Sequence, residues 1–426
     1  MGIALILLFV LIALGLPIAA VLGWLAVSLD WLISPLPLQR AFGEIAWSHS
    51  IEFTLVAIPM FIMMGEIMLR SHIADRMYNG VAAWIGWLPG GLMHANIGAS
   101  ALFAATSGSS VATAATIGTT AMPQVDRHGY SERLFLGSLA AGGTLGILIP
   151  PSINMIIFGF LTDTSVPQLF VAGLIPGILL AIIFSITIIV LCVAAPSLDG
   201  RRSPLSVKAL LQSLPDLAPP LALFILVIGS IYAGWATPTE AASIGVIASM
   251  GLAAWYGKLS WEMMVEVFIG TVRTSSMMIL ITILAFLLNF IIGATGMLSV
   301  VNELVQGLEW SPLATMLMIL MMYLILGMFM DTLAMIVLTI PIVTPIVVGL
   351  GYDPVWFGVM MVLVAETSVL TPPIGMLCYV VQGVRGRGEL IDVFIGVLPF
   401  ITTLMLMIGL MLAAPQLALW LPGLLY

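Results

Sequence analysis

Charge is what this sequence has least of: 8% of its 426 residues are Asp, Glu, Lys or Arg, against about 25% in an ordinary soluble domain. No hydrophilic stretch is long enough to fold alone, and apolar segments recur from Ile3 to Leu425. With 61% hydrophobic residues and a mean hydropathy of +1.20, the chain has no aqueous surface to match its length and reads as a membrane domain from end to end. Cysteine is nearly absent too. Cys192 and Cys378 both lie in apolar segments, which argues against a disulfide framework or a thiolate metal cluster. His49, His72, His94 and His128 lack metal-ligand spacing, and Gly257-Lys258 runs into Leu259 rather than into a phosphate-binding loop. There is no Ser/His/Asp or Cys/His constellation and no basic nucleic-acid patch. These absences point away from an enzyme and leave an ion gradient or a separate ATPase as the energy source. The first segment, Gly2–Leu29, has no basic n-region and no small-residue cleavage site, so it is expected to be retained.

What the chain does contain is a long internal repeat. Gly23 and Gly245 lie 222 positions apart, as do Ala112 and Ala334, Pro123 and Pro345, Gly129-Tyr130 and Gly351-Tyr352, Phe135 and Phe357, and Pro150-Pro151 and Pro372-Pro373. Shifted by one, Pro17 meets Pro238, Trp87 and Pro89 meet Trp310 and Pro312, and Gly173 and Pro176 meet Gly396 and Pro399. Single matches are cheap in an apolar chain, but proline pairs and a Gly-Tyr kept in register across both halves are not. Residues 1–200 are expected to form the first repeat, 201–216 a cytoplasmic linker and 217–426 the second repeat.

Parity decides how the two repeats are oriented. Segments 90–124 and 312–349 are too long for one helix, and each is interrupted by a polar tip, Ser107-Gly108-Ser109-Ser110 in one and Met330-Asp331-Thr332 in the other. Each reads as a re-entrant hairpin, entering and leaving on the same side. Segments 132–161 and 355–383 are broken helices, interrupted at the proline pairs. Five crossings then remain per half, an odd number, so the repeats are inverted. With the N-terminus outside, eleven of the twelve basic side chains fall on the cytoplasmic side and only Arg40 falls outside, as the positive-inside rule requires. Segment 2–15 is the short one, barely spanning a bilayer at about 1.5 Å per residue. The expected fold is an all-α integral membrane protein, an inverted repeat with about ten transmembrane helices and two re-entrant hairpins.

Inverted repeats with interrupted helices are the mark of secondary transporters. Backbone N–H and C=O groups without partners cost several kcal/mol in hydrocarbon, so non-helical backbone at membrane depth persists where it lines a cavity or binds something. Prolines 150, 151, 372 and 373 remove donors and free carbonyls. Carbonyls and the hydroxyls of Ser107, Ser109, Ser110, Ser152, Thr332 and Thr371 are hard oxygen ligands for a small cation. Helix N-termini suit a carboxylate. Some of these residues have a second reading. The small residues at Ser107–Ser110 also permit close helix packing. Asp331 serves as a helix cap or as a direct ligand, and Glu366, deep in its segment, as a structural hydrogen-bond partner or a coupling site. Glu240, in Thr237-Pro238-Thr239-Glu240, reads as the first-turn acid of a helix. Three stretches, Ser34–Ser50, His72–Leu88 and Leu259–Phe268, read as horizontal amphipathic arms that brace the immobile parts.

Gly234-Trp235-Ala236-Thr237-Pro238-Thr239-Glu240-Ala241-Ala242 resembles the G-x-x-T-P-T-E-A-A motif of the large (M) subunit of tripartite, binding-protein-dependent (TRAP) transporters. Ser107-Gly108-Ser109-Ser110-Val111-Ala112, Ile149-Pro150-Pro151-Ser152, Met330-Asp331-Thr332 and Thr371-Pro372-Pro373 are similar to that family's hairpin tips and helix breaks. The resemblance runs essentially the full length. It implies an elevator mechanism, Na⁺ as coupling ion and uptake of an organic acid of the carboxylate or sialic acid class. It also implies a four-helix small membrane subunit, a periplasmic substrate-binding protein, and a place in the bacterial inner membrane with both termini periplasmic. The small subunit is expected as a separate chain. Na⁺-site regions map onto Ser107, Gly108, Ser109, Ser110, Pro150 and Ser152 in one half, and Asp331, Thr332, Thr371 and Pro372 in the other. Thr113, Asn154 and Thr332 are the candidate substrate contacts. A stand-alone Na⁺/carboxylate symporter would share the hairpins and need no binding protein.

Overall fold

The computed structural model describes residues 2–35, 37–202, 204, 206–307 and 309–426; Ser203 and Leu205, inside the expected linker, lie outside the described residues. The described residues are helical throughout and contain no strand. The first half holds α1 (Gly2–Ala13), α2 (Ile18–Ile33), α3 (Leu38–Ser50), α4 (Ala57–Arg70), α5 (Ile73–Ile85), α6 (Leu92–Ser107), α7 (Ser110–His128), α8 (Glu132–Leu148), α9 (Ile153–Thr162) and α10 (Val166–Ala194). The second holds α11 (Val207–Tyr232), α12 (Pro238–Trp255), α13 (Trp261–Ala294), α14 (Met297–Gly307), α15 (Pro312–Gly327), α16 (Thr332–Gly349), α17 (Pro354–Ser368), α18 (Met376–Arg385), α19 (Leu390–Ala413) and α20 (Gln416–Leu425).

Local sequence sets many of these starts. Ser109, Ser152, Ser165, Ser206, Ser260 and Ser311 each accept a hydrogen bond from the backbone N–H three residues on. At α12 the cap is reciprocal: Thr237 Oγ1 accepts from Glu240 N at 3.3 Å and Glu240 Oε2 accepts from Thr237 N at 2.8 Å. Glu240 is thus the structural helix-start acid read from the sequence. Gly15, at φ +69, and Pro17 separate α1 from α2.

Three elements depart from the sequence reading. The arm expected at Leu259–Phe268 is not a separate helix but the first turns of α13, which runs 34 residues without a proline and continues through Gly270 and the polar Arg273-Thr274-Ser275-Ser276. Helix α11 begins at Val207, so much of the expected 201–216 linker is helical, capped by Ser206. Helices α14 and α20 were not assigned from the sequence, although Gly296, at φ +67, precedes the one and Pro415 the other. Seven stretches among the described residues are long and apolar enough to cross a membrane, and four further apolar helices are shorter.

Burial divides the helices into two kinds. Helix α8 is buried on every side from Leu134 to Gly146, and α17 from Val355 to Ser368. A helix that is apolar all round belongs at the centre of a bundle. Outer helices are two-faced: on α10, Ile178, Ile182, Ile186 and Val190 are exposed while Leu180, Phe184, Ile188 and Cys192 are buried, a four-residue period that presents one stripe to lipid.

Helices α6 and α7 pack on α8, and α15 and α16 pack on α17. The halves then interlock, because α18 lies on α7, α9 on α16, α19 on α8 and α10 on α17. Around this inner group, α2, α3 and α4 pack on α13, α12 on α4, and α11 on α5 and α12. An ionic cluster ties three inner helices at one end. The largely buried Arg385 of α18 bonds Glu132 of α8 at 2.9 Å and Asp392 of α19 at 3.2 Å, and Arg133 bonds Asp392 at 2.9 Å.

The tightest crossing is α8 against α19. A Cβ on Gly137 would lie 1.9 Å from the carbonyl oxygen of Gly396, and one on Gly396 would lie 1.9 Å from that of Arg133. Both obstacles are backbone, so neither can rotate away. Gly396→Ala should therefore lower the thermal unfolding midpoint in detergent, at a cost of about 3 kcal/mol or more. Gly409→Ala on the same helix meets nothing within 4 Å. It should be neutral or stabilise by about 0.5–1 kcal/mol.

Candidate functional site

Two helix joints and two helix breaks meet between the halves. The α6–α7 joint turns at Gly108, whose φ is +59, with the Pro151 carbonyl 3.0 Å from where a Cβ would stand, so only glycine fits there without strain. Ser107 Oγ and Thr113 Oγ1 share a hydrogen bond of 2.9 Å across this turn. Facing it, the chain between α8 and α9 is non-helical at Ile149–Ser152, where two consecutive prolines cannot extend α8. In the other half, α16 begins at Asp331, whose carboxylate accepts from Leu333 N at 3.2 Å, so Asp331 acts here as a helix cap. The break between α17 and α18 spans Val369–Gly375 and again contains a proline pair. Both pairs, Pro150-Pro151 and Pro372-Pro373, are joined by cis peptide bonds.

A cavity of about 70 Å³ lies where these parts converge. Its wall includes Gly108, Ser109 and Ser110 at the start of α7, Asn154 in the first turn of α9, Asp331 and Thr332 at the start of α16, and Met376 and Leu377 at the start of α18. Four helix N-termini, two from each half, thus surround one space. Each brings first-turn backbone N–H groups and the positive end of a helix dipole beside it, although Ser109, Ser152, Asp331 and the Val369 carbonyl already cap some of those groups. That arrangement attracts an anion.

The cavity also holds acid. Glu366, on the central α17, is 1% exposed and lines the wall. Ser110 Oγ donates to Glu366 Oε2 at 2.6 Å, a contact between the halves, while Glu366 Oε1 has no hydrogen-bond partner among the described residues. Asn154, 4% exposed, likewise keeps its Nδ2 without a partner there. Unpartnered buried polar atoms are expensive, and their concentration here is where a bound ion or substrate would offset the cost.

The residues read from the sequence divide around this cavity. Gly108, Ser109, Ser110, Asn154, Asp331 and Thr332 line it. Ser107 and Thr113 lie just behind the first turn, bonded to one another. Pro150 and Ser152 are buried in the first break, where Ser152 caps α9. Thr371 is half-buried and donates to the Thr367 carbonyl at 2.7 Å, and Pro372 is exposed, so the second break is the more open of the two. Met278 of α13 also lines the cavity. Its place was not legible, since one methionine among 28 carries no signal.

Comparison with known proteins gives a uniform result. The family described as the DctM component of tripartite ATP-independent periplasmic transporters matches residues 5–417. The C4-dicarboxylate TRAP transporter large permease protein DctM of Pseudomonas aeruginosa is 33% identical over 385 residues, covering 90% of each chain. The sialic acid TRAP transporter large permease protein SiaM of Vibrio cholerae is 32% identical over 379 residues, covering 88% of this chain and 87% of that one. Among solved structures, the YdaH transporter of Alcanivorax borkumensis superposes with a TM-score of 0.67 over 98% of both chains at 13% identity, a likeness of fold.

The Ser110–Glu366 contact is open to a double-mutant cycle. Ser110→Ala strips Glu366 of its donor and should cost about 1–3 kcal/mol. Ser110→Ala combined with Glu366→Leu removes both polar groups, and its loss should fall short of the sum of the two single losses. A coupling of about 1 kcal/mol is expected from thermal unfolding of the four proteins in detergent; additive losses would show that the contact does not form.

Proposed function

Because the chain belongs to the DctM component family of tripartite ATP-independent periplasmic transporters, we propose that it is the large membrane subunit of a Na⁺-coupled carrier that imports an organic acid through the cavity at its four helix N-termini. It is a multi-pass membrane protein and a transporter permease rather than an enzyme. The observation that carries the finer reading is the convergence of α7, α9, α16 and α18 on one space from both halves. Substrates of the carboxylate or sialic acid class fit it, because their carboxylates are what such N-termini bind.

The coupling ion follows from the other charges. A cavity that must accept an anion already contains Glu366 and Asp331. Like charges in a low-dielectric site repel strongly, so an anion enters with a cation. Ser107, Ser110, Asp331, Thr332 and Glu366 supply hard oxygens of the kind Na⁺ takes, together with backbone carbonyls at the two breaks. Na⁺ is therefore cargo, bound and released with the acid.

In the elevator reading, the interlocked inner helices α6–α10 and α15–α19 move as a body against the outer helices around α4 and α13. Support comes from the packing: each central helix carries its own pair and the break of the other half, so the two tips cannot separate without dismantling the group. The periplasmic position of both termini rests on the distribution of basic residues. A small membrane subunit and a periplasmic binding protein complete the proposed assembly.

Uptake of a radiolabelled acid panel into proteoliposomes containing this chain, a small subunit and a binding protein tests the whole reading. Uptake should require both an inward Na⁺ gradient and the binding protein, and should stop when K⁺ replaces Na⁺. Na⁺-driven uptake without the binding protein would instead assign a stand-alone symporter built on the same ion sites.

A further inference from the structure

The cavity at the helix N-termini has neighbours that share its lining residues. A second cavity of about 110 Å³ shares Ser109, Ile153 and Met278 with it and runs between the α6–α7 joint and the outer helices α4 and α13. A third, open space of about 470 Å³ shares Leu69 with the second and is lined by Arg70, His72, Glu262, Met263 and Glu266. The second and third are lined by successive turns of α4, and through their shared residues the three mark a route from the tips to the surface.

That route is hostile to an anion except at one point. Its walls carry Glu66 in the second cavity and Glu262 and Glu266 in the third. The only guanidinium lining the route among the described residues is Arg70, at the C-terminal end of α4. Arg70 Nε bonds Glu66 Oε2 at 2.9 Å, and Arg70 Nη1 bonds Glu266 of α13. The two carboxylates are not equivalent. Glu66 is 20% exposed and seated against Gly270 of α13, where a Cβ would come within 2.8 Å of its carboxyl group. Glu266 is 55% exposed and can swing into solvent. One partner is fixed and orients the guanidinium, while the other covers it and is replaceable. Next to Glu66, Gly65 brings α4 onto the α6–α7 joint, where a Cβ would stand 3.1 Å from Ser107 Cα, so this arginine lies about one and a half helical turns along α4 from that contact.

We infer that Arg70 is a second carboxylate-binding position on the route out of the cavity, at which the substrate displaces Glu266 while Glu66 holds the guanidinium in place. The inference rests on the proposed carriage of an organic acid. Arginine suits the role because its planar fork pairs a carboxylate through two parallel bonds, and an exposed ion pair exchanges partners at little cost. Glu266 is then a stand-in for the cargo, keeping the arginine paired when no acid passes. No proton or covalent bond changes hands.

The test reads Arg70 directly. The purified complex is treated with the arginine reagent phenylglyoxal, and modification is mapped residue by residue by mass spectrometry, with chloride, succinate or N-acetylneuraminate present. Succinate or N-acetylneuraminate should slow modification of Arg70 several-fold relative to chloride, and leave Arg387, half-exposed on another surface, unaffected. Glu266→Gln should make Arg70 react faster and widen the protection. Among transport variants, Arg70→Lys should keep much of the uptake rate that Arg70→Gln loses, with unchanged half-saturation on the binding-protein side. Equal modification with all three anions overturns the inference, as does an Arg70→Gln protein that transports like the parent. Protection without Na⁺-dependent uptake would keep the arginine subsite and sink the coupling reading, so the two failures are told apart.

Discussion

A helix that stops inside a membrane leaves four backbone N–H groups at its start and four carbonyls at its end without partners, and hydrocarbon supplies none. The rest of this structure is arranged around that constraint. Helices α7, α9, α16 and α18 all start at depth, beside non-helical stretches. Side chains answer only part of the demand: Ser109 and Ser152 each cap one N–H, and Asp331 caps another. The four helix starts also line a common space rather than being scattered. Gathering the four deficits in one place turns a cost of folding into a site, because one anion can meet several donors at once.

The gathering depends on interlocking. Had each half folded around its own central helix alone, two separate sets of two N-termini would result. Instead α18 leaves the second half to lie on α7 of the first, and α9 leaves the first to lie on α16 of the second. Ser110 and Glu366, 256 residues apart in sequence, hydrogen-bond as a consequence. The same exchange explains why the glycines cluster where they do. Gly137 and Gly396 let α8 and α19 touch backbone to backbone, and the polar end of that contact is fixed by Arg385 between Glu132 and Asp392. A rigid inner group follows, with lipid-facing helices around it.

Proline, glycine and serine made much of this legible in advance. The pairs at Pro150 and Pro372 marked the two breaks because two consecutive prolines cannot continue a helix. The polar run Ser107-Gly108-Ser109-Ser110 marked the tip between two helices, and the structure puts the α6–α7 joint there with Ser109 as the cap. Other elements were silent. Nothing near Lys258 distinguishes a horizontal arm from the first turns of α13, since an amphipathic stretch followed by an apolar one reads the same whether or not the chain bends. Glu366 was visible as an acid in an apolar segment, but its partner Ser110 could be found only by folding the halves together. Thr371 has a partner that the sequence did not show. Its hydroxyl donates to the Thr367 carbonyl, a bond whose i−4 geometry is available to any threonine at a helix end and which leaves the oxygen's lone pairs open to a cation.

The acids decide what kind of carrier such a site can be. Four helix N-termini amount to about half a positive charge each, enough to hold one carboxylate. When ionised, Glu366 and Asp331 nearly cancel that field before any substrate arrives. An empty cavity is then close to neutral, and an anion alone would carry net negative charge into a low-dielectric space. On the proposed reading a cation beside Glu366 restores the balance, and the acid and the cation each make the other's binding favourable. By linkage that preference is mutual: a site that needs the cation to hold the acid also needs the acid to hold the cation. Coupling, on the proposed reading, needs no separate machinery, because it is a property of having placed carboxylates among helix N-termini.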